Sequence, residues 1–536
     1  MLEKLKTTDT KKKTLLLCAA WALFAAAYIA ARLILRQGKL MLFRFNLGFS
    51  IEDAGILYNF QTLIVLAVSA VVLIAAVYLL RRELRCEVFF PALALVFGLF
   101  YMFTITPLSV PDEVTHFQAI IELTSKLFSK PFDASVGDFT AFSNHNNVCT
   151  GYLRVIHELF GKAGNTTPLS MSIMGGMWTL TYSLEYVPQI IAYAIAHIFS
   201  FNGVTAFMLG RFCNLLFYVG CVYLALRLAP RFKLTLGLCS LMPMALQQAA
   251  SLSYDNFINA LCLVLFAALL RLIFGEGESS AETLNTGKSS EYKTYFAALI
   301  AAMLLAPAKG IYASFILLFL FVPEERFTGR VKKRGCFLIM LGLCVGFFAA
   351  VSVPSMIRIL SSTPPSFAAE GGEQYTLRFF LTNPGDALGI FQDSFNLYFS
   401  TWLTQAVGQS LSTCNLEIPS WIVPSMLAIL VLSAQNVEGH ETDLPRGLRT
   451  ALIALCALVV LTFMMTMFLT WISTRDKIIL GVQGRYFTPI IPLLLVALNN
   501  RTLVLKKDIG KGLSMLSVLL SARVVLAILD YTMFNV

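Results

Sequence analysis

Charge is the scarcest commodity in this sequence: Asp, Glu, Lys and Arg together make up 13% of the chain, against 57% hydrophobic residues. That balance excludes a disordered chain and an ordinary soluble enzyme. No polar stretch is long enough to fold as an independent domain, so the chain reads as one unit, 1–536. No glycine-rich turn with Rossmann spacing is present, which removes the usual fingerprint of a soluble nucleotide-sugar enzyme. No short-period repeat appears, and no small-residue cleavage site follows the first apolar run, which therefore reads as an uncleaved span. The net charge is +10, yet the basic residues sit in short loops between apolar runs. Cytoplasmic loops of membrane proteins carry such an excess, so nucleic-acid binding is a poor inference.

What the chain does have is apolar runs. They lie near 14–33, 61–80, 88–106, 204–226, 234–250, 253–273, 293–307, 309–322, 335–353, 420–434, 450–472, 485–499 and 512–531. The expectation is an all-α polytopic membrane protein with roughly 11–13 transmembrane helices. A further run, 186–200, decides the orientation. If it enters and leaves on one side, the clusters at Arg81, Arg227/Arg231/Lys233, Arg326–Arg334 and Arg501–Lys511 all become cytoplasmic. If it spans, all but the first move outside, so it reads as a re-entrant or interfacial helix. The N-terminus is then cytoplasmic, and two large extracytoplasmic loops, about 107–185 and 354–419, share a face with the short connections 251–255 and 473–485. The segment 275–293 reads as a flexible cytoplasmic linker. Of the cysteines, only Cys149 and Cys414 lie in long polar loops, where they are candidates for an outside disulfide.

Chemistry-bearing residues collect where runs meet that outer face: Asp112, Glu113, His116, Asp255, Lys309, Gln483 and Arg485, with Tyr486 next to the last. Charges at such depths are functional candidates by default. On a helix starting at Pro111, Asp112 and Glu113 both come within reach of His116. Plainer readings stand beside these: acids at a helix start, a cap at Asp255, a snorkelling Lys309, and a glycine turn with an interfacial Arg at Gly481–Phe487. In the loops, Phe139, Phe142, Asn144–Asn147, Tyr152 and Arg154 mix rings with amides, a composition suited to sugar binding and equally usual in an ordered loop.

The segments PDEVTHFQAI, LEYVPQIIAYAIA, LGRFCNLLFY, LMPMALQQAASLSYDN, APAKGIY and GVQGRYFTPIIPLLL resemble those of a bacterial membrane-protein family, domain of unknown function 2142, grouped with the GT-C glycosyltransferases. The resemblance implies a GT-C-like fold in the cytoplasmic membrane, with an acidic motif in the first outer loop. It also implies a polyprenyl-phosphate-linked sugar as donor and a cell-envelope glycan or lipid-linked molecule as acceptor. Asp112 or Glu113 is then the general base of an inverting transfer, and His116, Asp255, Lys309, Gln483, Arg485 and Tyr486 bind substrate. No cofactor is required. Asp112, Glu113 and His116 are nonetheless candidate ligands for Mg or Mn, since carboxylate and imidazole suit such ions. The competing classes are a transporter or flippase of lipid-linked glycans, and a polymerase or ligase of envelope polysaccharide.

Overall fold

The structure is a computed structural model, and it describes residues 2–47, 50–128, 155–157, 184–199, 201, 203–275, 287–327, 331–361, 373–412, 415–439, 441–500 and 502–534. Cys149, Cys414 and the loop residues from Phe139 to Arg154 lie outside these. Long apolar runs become long helices: α1 (Leu2–Leu47), α2 (Ile51–Arg81), α3 (Cys86–Thr104), α4 (Glu113–Phe128), α5 (Val187–Ile198) and α6 (Gly203–Leu228). Then come α7 (Lys233–Cys239), α8 (Pro243–Ala249), α9 (Asp255–Phe274), α10 (Gly287–Ala313) and α11 (Lys333–Ser361). The last group is α12 (Leu377–Thr382), α13 (Pro384–Val407), α14 (Ile422–Ser433), α15 (Arg446–Thr470), α16 (Ile491–Ala497) and α17 (Gly510–Phe534). Two 3-10 helices, Ser314–Phe321 and Gly484–Ile490, are the irregular elements that shape the site. Strands are vestigial: a two-residue antiparallel pair and a two-residue parallel pair.

Among the described residues, nine helices are long and apolar enough to cross a membrane. The shortfall from the expected 11–13 has a local cause. The run 234–250 breaks into α7 and α8 at Ser240–Met242, just before Pro243, and 485–499 is half 3-10 helix with Pro489 inside it. Proline removes a backbone donor and crowds the preceding turn, so neither run continues as one α-helix. The run 420–434 yields only the 12 residues of α14. The expected linker 275–293 is also shortened, because α10 starts at Gly287.

One of the nine, Glu291–Phe321, folds back on itself. A straight helix would part Tyr295 from Phe319 by about 36 Å, yet their ring centroids lie 5.9 Å apart. The reversal is at Lys309, whose φ of −143° and ψ of 88° interrupt the helix two residues after Pro307. The two runs flanking Lys309 are thus antiparallel, with the lysine at the apex.

Helix α5 has 12 residues, about 18 Å of helix, short of the hydrocarbon thickness. It packs along α6 as a helical hairpin, with Tyr193 against Gly210. Helix α9 is the axis of the bundle: 89% of its most apolar window is buried, whereas α1 has 6% buried and presents Leu15, Leu33 and Ile34 outward. Apolar side chains exposed on that scale match a lipid surroundings. The chain runs alternately between two ends. The C-terminus of α3, the N-termini of α6 and α9 and the Lys309 apex share one end. Arg81 and Arg227 close their helices at the other, where Arg326 ends the short 3-10 helix Glu324–Arg326, Leu234 lies against Gly510 and Arg231 donates to Thr442.

Candidate functional site

The Asp112–Glu113 pair sits at the entry to α4, which begins at Glu113 instead of Pro111. Asp112 has φ 61°, in the left-handed region that Asp tolerates better than most residues. This bend sends the two carboxylates in opposite directions.

Glu113 points inward. Both its oxygens are held by Arg211 of α6, Nε to Oε1 at 2.9 Å and Nη2 to Oε2 at 2.7 Å, with both side chains fully buried. Arg211 also donates to the carbonyls of Met102, Ile105 and Thr106, the free acceptors at the end of α3. Leu252 N–H donates to Glu113 Oε1 at 3.0 Å. One turn along α6, the Asn214 amide donates to the Ser251 and Ser253 carbonyls. Arg211 and Asn214 therefore fasten together the end of α3, the start of α4 and the start of α9.

Asp112 points outward, its side chain 56% exposed, and pairs with the buried guanidinium of Arg485. Arg485 also donates to the Pro111 carbonyl at 3.2 Å and lies 3.3 Å from Asp255. Asp255 in turn takes the Lys309 ammonium at 2.7 Å. The result is an alternating string, Asp112, Arg485, Asp255, Lys309, with no net charge. Lys309 Nζ sits over three rings: Tyr486 at 4.6 Å, Tyr254 at 5.1 Å and Phe463 at 5.9 Å. Apolar walls of this kind strengthen every interaction inside them. Gly484 makes the approach of Arg485 possible, because a Cβ there would meet the Trp402 carbonyl at 2.5 Å and the Ala406 nitrogen at 2.8 Å. Gln483 precedes this turn and forms the N-terminal boundary of the 3-10 helix.

His116 is buried, its Nδ1 2.6 Å from the Tyr186 hydroxyl and its ring edge-on to Tyr254 at 4.9 Å. Burial pulls its pKa down to about 4, so the imidazole is neutral. Asp112, Glu113 and His116 consequently do not converge, and among the described residues no three acidic, His or Cys side chains form a metal-ligand cluster. The cation set expected at these three positions is not assembled: Glu113 is saturated by Arg211, and the Asp112 carboxylate is tied to Arg485.

Two residues of this region lie outside the sequence candidates, and only Arg211 carries a signal in the sequence itself. Arg211 is a lone charge inside the apolar run 204–226, which alone marks it as paired. Glu185 belongs to the turn before α5, is 2% exposed, and feels the charges of Lys309 and Asp255. Burial pushes its carboxyl well above the usual range.

Fold and site together define a multi-pass α-helical membrane protein with a charged, aromatic-walled site at one end of the bundle. Within that class, the chain belongs to the family described as "Predicted membrane protein (DUF2142)", whose profile matches residues 95–494. Every residue of the site lies inside the match, while α1, α2 and α17 lie outside it. No curated protein and no solved structure matches the chain.

Proposed function

We propose that this protein is a GT-C-like glycosyltransferase that moves a sugar from a polyprenyl-phosphate donor to a cell-envelope glycan or lipid-linked acceptor. The observation that carries the reading is the half-exposed Asp112 carboxylate paired with Arg485, with Lys309 joined to the same string through Asp255, in an apolar setting. Asp112 is the base: it takes the proton of the acceptor hydroxyl as that oxygen bonds to the anomeric carbon. The bond from that carbon to the phosphate oxygen breaks, and its electron pair leaves with the polyprenyl phosphate. Lys309 and Arg485 meet the charge gained there. Glu113 has no free oxygen to act as base, and its role is to hold α4 against α3 and α6. Positive charge gathered at the opposite end supports a cytoplasmic location for that end, hence an extracytoplasmic site in the bacterial membrane. Transfer of radiolabelled sugar from a panel of synthetic polyprenyl-phosphate donors, by wild type and Asp112→Asn in parallel, tests the reading. Turnover by wild type with loss in the variant supports it; full turnover by the variant removes the base.

One observation favours a transporter of lipid-linked glycans instead. The break between α7 and α8 and the proline-rich start of α16 face one internal cavity, lined by Ser240, Met242, Asn259, Thr488, Pro489 and Pro492. Paired helix interruptions near mid-bundle are a transporter trait. Specific binding of a lipid-linked glycan by wild type without turnover of any donor favours this second reading.

A further inference from the structure

Buried polar atoms in folded proteins are nearly all paired, so those left over mark places where something else is meant to bind. Four of them belong to the charged string or its neighbourhood: Arg485 Nε, His116 Nε2 and Glu185 Oε2, which feel the charges of Asp255 and Lys309, and Gln483 Oε1, two residues before Arg485, have no hydrogen-bond partner among the described residues. Their chemistry is mixed. Arg485 Nε–H can only donate and Gln483 Oε1 can only accept, whereas His116 Nε2 does either according to its tautomer, and a carboxyl accepts and, when protonated, also donates. A bare phosphate wants donors alone, and Arg485 and Lys309 already supply them. Ring hydroxyls, each both donor and acceptor, want the alternation found here. Beside His116, the rings of Tyr186 and Tyr254 stand edge to face at 6.0 Å and provide apolar walls. Charge narrows the ligand further: the string is neutral overall and its members pair with one another, so it holds no surplus charge to meet an ionised substituent on the sugar.

We infer that Glu185, with His116 and Gln483, forms a subsite that reads the hydroxyls of an uncharged sugar ring, the inference resting on the donor class proposed above. Glu185 is the diagnostic member, because among the described residues its carboxyl is buried without a counter-ion of its own: Lys309 is already engaged by Asp255. A residue kept for ligand binding destabilises the empty protein, and one kept for folding stabilises it. The two roles therefore predict opposite effects for the same substitution.

The experiment uses full-length protein in lipid nanodiscs and two probes: a synthetic polyprenyl phosphate, and the same lipid phosphate carrying an uncharged hexose. Wild type is expected to prefer the hexose-bearing lipid. Glu185→Leu is expected to lose about 10-fold of that preference, the scale of one neutral hydrogen bond, with bare-lipid affinity unchanged. Ligand-free Glu185→Leu is expected to melt no lower than wild type, and Glu185→Gln, which can still donate and accept, to recover most of the preference. An unchanged preference in Glu185→Leu, an equal loss for both lipids, or a lower melting temperature would each overturn the subsite while leaving the donor class standing. If wild type binds neither lipid, the donor class itself is wrong and the subsite falls with it.

Discussion

Two adjacent carboxylates with opposite surroundings give a prediction that separates folding from chemistry. In Glu113→Gln, the fully buried Arg211 loses its counter-charge, and one of its two N–H donors then faces an amide NH2 instead of an oxygen. Breaking a buried ion pair from one side costs about 3–5 kcal/mol. In Asp112→Asn, the lost pair is half-exposed, and Arg485 keeps Asp255 at 3.3 Å and the Pro111 carbonyl; partly solvated pairs contribute about 1 kcal/mol or less. The two variants should thus differ by roughly two orders of magnitude in unfolding equilibrium. Denaturant titration of purified protein in mixed micelles, read by tertiary fluorescence and by monodispersity, measures both. Glu113→Gln unfolding within about 1 kcal/mol of wild type would refute the assignment of Glu113 as a structural anchor.

Other expectations follow from the same geometry. Asp112→Asn should lower transfer by about 10²–10⁴-fold with the fold intact, measured as single-turnover sugar transfer. On the proposed reaction, in which the Lys309 charge is used as the phosphate departs, Lys309→Met should reduce kcat more than it weakens acceptor binding; equal effects on both would argue against that role. Gly484→Ala should push Arg485 off Asp112, since the added methyl meets the backbone of α13, and should mimic Arg485→Gln in the transfer assay. Chelation should leave transfer unchanged, because neither Glu113 nor His116 is placed to join Asp112 around an ion. His116 is held down at about 4 in the folded protein, below the roughly 6.5 of an unfolded imidazole. Its contribution to stability is present above that unfolded value and is lost as pH falls toward the folded one. His116→Gln should flatten the melting temperature across that window; an unaltered slope would place the acid sensitivity elsewhere.

The spans were legible because hydrophobic length alone dictates them, and in two of the runs that were overcounted proline was responsible: Pro243 and Pro489 stand in runs whose hydropathy is that of a span. Lys309 was legible as a charge between two runs, and the reversal there agrees with their being read separately. Run boundaries also pointed to Asp112, Asp255 and Arg485, which the structure brings into one string. The divergence of Asp112 from Glu113 was not legible. It depends on a left-handed residue and on a partner, Arg211, 98 positions away in sequence. Glu185 escaped notice for a related reason: an acid in a turn gains meaning only when packing strips away its water and sets Lys309 beside it.

The left-handed backbone at Asp112 restricts what this position can be. Most side chains pay roughly 1–2 kcal/mol to adopt that conformation, and Asp and Asn are the chief exceptions apart from glycine. Glutamate would keep the charge but resist the bend, and asparagine or glycine would keep the bend but drop the charge. Of the twenty amino acids, aspartate alone answers both demands. A random library at this codon, selected for transfer activity, should therefore return aspartate, while the same library selected only for folded protein should be enriched in Asp, Asn and Gly without excluding other residues, since Leu108, Phe232 and Ser412 hold the same backbone region in this chain.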